Sequence, residues 1–151
     1  MGQINISATA AVPLSVAFAY VDDYRYVPDW MFGMSKFDPL TEQVSGLGAE
    51  YETVVNLGPK ALRSKVRVTD WAQDAVIELT SFEGMVNSSR WEFRAVDDEH
   101  TELTVDFRYE FGGGLAGKAL AKVIEPLVGE AMRQTEKDLR TKAEEHYRSL
   151  E

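Results

Sequence analysis

The stretch from Leu115 to Leu150 constrains the fold more than any other part of the chain. Its apolar residues run Leu120, Val123, Ile124, Leu127, Val128, Ala131, Met132, Leu139, Ala143, Tyr147 and Leu150. Separations of three and four place them in one stripe, so the segment is predicted to be a helix with one face to bury. The opposite face carries Glu136 before Arg140, Asp138 before Lys142 and Glu144 before Arg148, the favourable acid-then-base order one turn apart. At 1.5 Å per residue such a helix would reach roughly 50 Å, more than a domain of this size needs to cross its own core. Pro126, which lacks an N–H for the carbonyl of Lys122, and Gly129 after it mark the expected bend.

Upstream the period falls from nearly four to two. Residues 3–10 alternate, with Ile4, Ile6 and Ala8 on one face, which describes a half-buried strand. Pro13 fits the first turn of a helix carrying Val16, Ala17, Tyr20, Val21 and Tyr24. A second short helix with Val27, Trp30 and Met31 is expected after a break at Pro28, and Gly33 ends it. Residues 35–42 look extended, but Pro39 confines them to an edge strand or a bulge.

From Glu50 onward alternation persists for most of sixty residues. One face holds Tyr51, Thr53, Val55, Ser64 and Val66, then Ile77, Leu79 and Ser81, then Trp91, Phe93, Phe107 and Tyr109, while the other is dominated by Glu, Arg, Lys and Asp. This is the pattern of an antiparallel sheet with one wet side. The turns between the strands are too short for parallel crossovers. Strand, two short helices, about six strands and a long helix make an α+β plan with a single sheet. The final helix is the only large apolar surface left to cover that sheet, so the sheet is expected to curl around it. No repeat or composition break interrupts the pattern, and residues 1–151 are expected to form one domain.

Composition removes several classes of function. With no cysteine there is no disulfide, thiolate nucleophile or cysteine metal site. A net charge of −9, with basic residues interspersed among acidic ones, argues against nucleic acid as a partner. Neither a signal peptide nor a membrane-length apolar run is visible, so the expected location is cytoplasmic, without stable membrane insertion. The sequons at Asn5 and Asn87 are attributed to chance.

The stretch AAVPLSVAFAYVDDYRYVPDW, followed by an edge strand, LGAEYE, further strands and a closing helix, resembles polyketide cyclase/dehydrase-like members of the START-like (SRPBCC, birch-pollen-allergen-like) superfamily. The resemblance rests on the proline opening the first helix, the Asp-Tyr-x-x-x-Pro-x-Trp run from Asp23 to Trp30, and the glycine-led strand from Gly48. It implies a helix-grip fold: a seven-stranded curved antiparallel sheet wrapped around a long C-terminal helix, with two short helices after the first strand closing one end of a cavity. Such proteins bind lipids, sterols, polyketides and other mostly apolar molecules, and some catalyse cyclisation or dehydration in the same cavity.

A mostly apolar inner face with hydroxyls from Tyr51, Thr53, Ser64, Ser81 and Tyr109 suits a small-molecule pocket, although the same hydroxyls could satisfy one another in a filled core. The expected partner is a hydrophobic small molecule. From the sheet its lining is Tyr51, Val55, Ser64, Val66, Ile77 and Leu79, then Ser81, Glu83, Trp91, Phe93, Phe107 and Tyr109. The helix adds Leu127, Ala131 and Met132, and Tyr20 and Trp30 are placed near the entrance. Trp30, Met31, Phe32 and Met34 form either a hydrophobic lid or ordinary packing.

Catalysis has less support, because no acid, imidazole or amine sits mid-strand on the inner face. A polyketide cyclase, aromatase or dehydratase remains the enzymatic alternative, with catalytic residues unassigned. A protein-interaction module with a filled core is the third. His100 and His146 are expected at the surface without a metal. Gly112, Gly114 and Gly117 match dinucleotide-site spacing, but no parallel strand follows, so they are expected to form a flexible joint and no cofactor is expected.

Overall fold

The computed structural model describes residues 2–150. Strand β1 (Gly2–Ala10) leads into helix α1 (Leu14–Asp22), a 3-10 turn at Tyr24–Tyr26 and the one-turn helix α2 (Val27–Trp30). Strands β2 (Met34–Pro39), β3 (Glu50–Leu57), β4 (Lys60–Ala72), β5 (Val76–Gly84), β6 (Val86–Asp97) and β7 (His100–Glu110) follow, and helix α3 (Gly114–Ser149) closes the chain. The seven strands form one antiparallel sheet in the order β1-β7-β6-β5-β4-β3-β2. Curled around α3, this sheet makes the helix-grip architecture, with β2 on an edge and Pro39 its last residue.

Pro13 and Pro28 act somewhat differently from expectation. Pro13 is the extended residue just before α1, and its carbonyl accepts from the Ala17 N–H at 2.9 Å. Pro28 does not break the chain before α2 but lies in its first turn, where a missing N–H is harmless and the fixed φ suits a helix. Helix α3 is continuous through Pro126. Its expected stripe is buried at Ile124, Val128, Ala131, Met132, Leu139 and Ala143, whereas Val123 is exposed and Leu150, just past the last helical turn, lies out in solvent.

Of the three anticipated pairs on its outer face, Glu136 meets Arg140 at 3.1 Å. Asp138 instead accepts from Gln134, and Glu144 accepts the Ala11 N–H at 2.8 Å, fastening α3 to the end of β1. The outer face of the sheet carries cross-strand pairs such as Arg90 with Asp70 and Glu78, and Arg94 with Glu102. These sit at the partly exposed surface and are individually worth about 0–1 kcal/mol.

The glycine joint before α3 is tighter than the flexible hinge expected. A Cβ on Gly117 would lie 1.5 Å from the Gly112 carbonyl oxygen, and Gly114 has φ +77°. Both positions therefore require glycine, one for close approach and one for its left-handed backbone.

Two buried tyrosines make the fold sensitive to alkali. Burial, reinforced by Asp29, pushes the Tyr20 phenol up to about 12. Burial, reinforced by Asp22, does the same to Tyr51, whose hydroxyl donates to the Val44 carbonyl at 2.6 Å. In the unfolded chain both ionise near about 10, so the folded state holds their protons more tightly. Their contribution is intact below about pH 10 and is lost as pH rises to about 12. Thermal melts across this window should show a falling midpoint, with a shallower fall in the Tyr20→Phe/Tyr51→Phe double variant. An equally steep fall in that variant would assign the sensitivity to other groups.

Candidate ligand-binding site

Between the inner sheet face and α3 lies a cavity of about 110 Å³. The strands contribute Val55, Ser64, Val66 and Leu79 on one side and Trp91, Phe107 and Tyr109 on the other. Helix α3 forms the opposite wall through Ile124, Val128, Ala131, Met132 and Thr135. The wall is overwhelmingly apolar, and among the described residues no Asp, Glu, His, Lys or Arg lines it. Every methionine after residue 1 lines it: Met31, Met34, Met85 and Met132. Unbranched thioethers change rotamer at little cost, so this wall can reshape around different occupants.

The polar part of the wall is built by strand register. Thr53 faces Ser64 across β3 and β4, and their hydroxyl oxygens are 2.8 Å apart. Gly84, with φ +80°, turns β5 toward β6; a Cβ there would come within 2.4 Å of the Arg63 carbonyl oxygen. That turn brings Asn87 beside Ser64. The Asn87 Nδ2 donates to Ser64 Oγ at 3.3 Å and to the Met85 carbonyl at 2.9 Å, while its backbone N–H donates to Ser81 Oγ at 2.9 Å. Asn87, Ser89 and Trp91 share the inward parity of β6, and all three line the cavity.

Tyr109 closes the β7 side, its ring stacked on Phe107 and lying across Gly2 of β1, where a Cβ would sit 2.0 Å from its Cζ. Burial raises its phenol above the ordinary value, and Glu125 adds to the shift.

The segment between α2 and β2 covers the cavity. Met31, Phe32 and Met34 line it, and Phe32 is also 42% exposed, which places it between cavity and solvent. The Phe32 N–H donates to Thr135 Oγ1 at 3.0 Å, and that hydroxyl donates to the Ala131 carbonyl at 2.8 Å. Gly33, with φ +80°, turns the chain, and its carbonyl accepts from the Asn56 N–H at 2.7 Å. The cover is thus tied once to the helix and once to β3.

Two smaller cavities adjoin this one. The first, of about 40 Å³, is lined by Trp30, Tyr51 and Ile77; the second, of about 30 Å³, lies toward α1 and is lined by Phe93, Ala17 and Leu139. Trp91 borders all three.

The expected lining divides accordingly. Val55, Ser64, Val66, Leu79 and Trp91 meet at the main cavity together with Phe107, Tyr109, Ala131 and Met132. The remaining positions lie elsewhere. Tyr20 is not at an entrance: it is buried against Tyr26 and His146, at centroid distances of 4.9 Å to each ring. That packing also takes His146 out of open solvent. Trp30 is buried edge-on against Trp91, and its Nε1 is a buried donor without an acceptor among the described residues.

Tyr51 and Ile77 face the 40 Å³ cavity and Phe93 the 30 Å³ one. Ser81 supports Asn87 from behind, and Leu127 packs on Gly58. Glu83 points to the wet face, where it pairs with Lys65 at 2.9 Å. Asn87, Ser89 and Thr135 also line the cavity, beyond the residues expected from the sequence. The parity of β6 was sufficient to find the first two.

Among the described residues no His, Asp or Glu cluster suits a metal ion, and no helix is long and apolar enough to cross a membrane. Similar architectures occur in a protein of Thermus thermophilus (16% identity, 94% of this chain and 97% of that one, TM-score 0.79) and in the Zhui aromatase/cyclase of a Streptomyces species (18%, 95% and 93%, 0.77). A START superfamily protein of Mycobacterium smegmatis is also similar (17%, 95% and 97%, 0.76). At these identities the likeness carries the fold alone. Comparison with curated protein sequences gave no significant match. The family model described as polyketide cyclase/dehydrase and lipid transport matches residues 1–144, nearly the entire sheet-and-helix framework around the cavity, and the chain therefore belongs to that family.

Proposed function

We propose that this protein binds a neutral, mostly apolar small molecule, lipid-like or polyketide-like, between the sheet and α3. The observation that carries this reading is a lined space without a single ionic side chain among the described residues, walled on several sides by methionine. An anionic group would have no cation to offset its desolvation there, which favours a neutral occupant. The Met31–Met34 segment would then serve as the cover through which the molecule enters.

A cyclase or dehydratase acting in the same space is less well supported. General acid–base chemistry needs a titratable group within reach of the substrate, and Tyr109, with its phenol raised by burial, is a poor acid near neutrality.

Native mass spectrometry of protein purified without detergent tests the binding reading. A stoichiometric neutral adduct is expected, released on denaturation and restored by adding the extracted molecule back. Failure of the extract and of a panel of neutral ring compounds to add mass or raise the melting temperature would overturn it.

A further inference from the structure

Asn87 has the geometry of a specificity determinant. Its two amide protons are committed to Ser64 Oγ and the Met85 carbonyl, at 3.3 and 2.9 Å. Reversing the amide would set its oxygen against the Met85 carbonyl oxygen, so the orientation is fixed. Ser81 Oγ fixes the residue further by accepting its backbone N–H. What remains is Oδ1, an acceptor with no partner among the described residues, on a residue that lines the main cavity.

The other polar groups there divide in a consistent way. Thr53, Ser64 and Thr135 are engaged with one another or with backbone. Ser89 and Tyr109 lack partners among the described residues; their hydroxyls can give or take a proton, whereas Oδ1 can only accept. Tyr109 stands directly opposite Asn87 in the β6–β7 register, and Ser89 is two residues along the same strand face. An occupant that fills this space with hydrocarbon alone displaces water from Oδ1 and leaves a desolvated acceptor, whereas one that brings a hydroxyl satisfies it.

Resting on the binding reading above, we propose that Asn87 Oδ1 selects ligands whose apolar body carries a hydroxyl, a phenol, enol or alcohol, over isosteres bearing a methyl group or only an acceptor. The four methionines of the wall supply a direct probe. With 13C-methyl methionine labelling, shifts at Met31, Met34, Met85 and Met132 report occupancy of this cavity.

The test is to titrate 2-naphthol, 2-methylnaphthalene and 2-methoxynaphthalene into wild-type protein and into Asn87→Leu, following those methyl signals. The hydroxyl compound is expected to bind wild type more tightly than both others by roughly fivefold to tenfold, the size of one net hydrogen bond. Asn87→Leu should erase that preference while retaining the methyl-bearing compound. The ranking of the three compounds on wild type stands without the variant, should Asn87→Leu fail to fold. Equal affinity for all three on wild type, or a preference that survives in a folded Asn87→Leu, overturns the role of Asn87 and leaves the cavity reading intact. No shift at the four methionines with any compound overturns both.

Discussion

Trp91→Ala is expected to destabilise the protein by about 3–5 kcal/mol and to join the three cavities that Trp91 borders into one. The indole is 3% exposed, lies in register with Ile77 and Val105 on neighbouring strands, and meets Trp30 edge-on at 5.2 Å. Removing it leaves a hole that three surrounding layers cannot all collapse to fill, because it borders the main cavity and both smaller ones. A domain with a total stability of about 5–15 kcal/mol would survive this narrowly, if at all. Urea denaturation reads the loss. Trp91→Phe should fall between the two, and its larger void should admit bulkier probes than wild type. A loss below about 1 kcal/mol for the alanine variant would mean that the indole is not a shared partition.

Ala131→Leu is expected to act in the opposite sense, abolishing binding while sparing the fold. Ala131 is 8% exposed on the buried stripe of α3 and faces the main cavity. Leucine is nearly as good a helix former as alanine, and its added carbons enter existing space instead of a packed contact. Stability should change by no more than about 1 kcal/mol, whereas affinity for a ring compound such as 2-naphthol should fall at least about 100-fold. Thermal melting and the methionine methyl titration measure the two effects on one sample. Undiminished binding in a folded Ala131→Leu variant would place the ligand outside this cavity.

The architecture was legible because its two periodicities are physical necessities. A strand that buries one face must alternate, and a helix that covers a sheet must carry a stripe, so Tyr51 to Tyr109 and Leu120 to Tyr147 declared themselves. Side-chain parity also identified which residues face inward. It could not divide that interior into compartments. Tyr51, Ile77 and Phe93 face inward as expected, but Trp91 stands between their small cavities and the main one, and side-chain volume carries no period.

Glu83 shows a second limit. The register of β4 and β5 shifts between Lys65 and Val66, and past that irregularity Glu83 lies on the wet face beside Lys65. Thr135 shows a third. A threonine in mid-helix gives no signal of the Phe32 N–H it accepts from an element more than a hundred residues earlier.

The position of β1 bears on how the chain reaches this state. It occupies one edge of the sheet and pairs only with β7, Gly2 opposite Tyr109 and Ala10 opposite Thr101. Of the seven strands of this sheet, β1 is made first and thus waits for the last before it has a neighbour. Hairpins β3 through β7 can close locally, but the final pairing must close a loop of roughly 100 residues, and such non-local contacts slow folding. Until then β1 and the edge of β7 are exposed to other chains, so synthesis that halts before His100 yields a segment with an unpartnered strand and a route to aggregation.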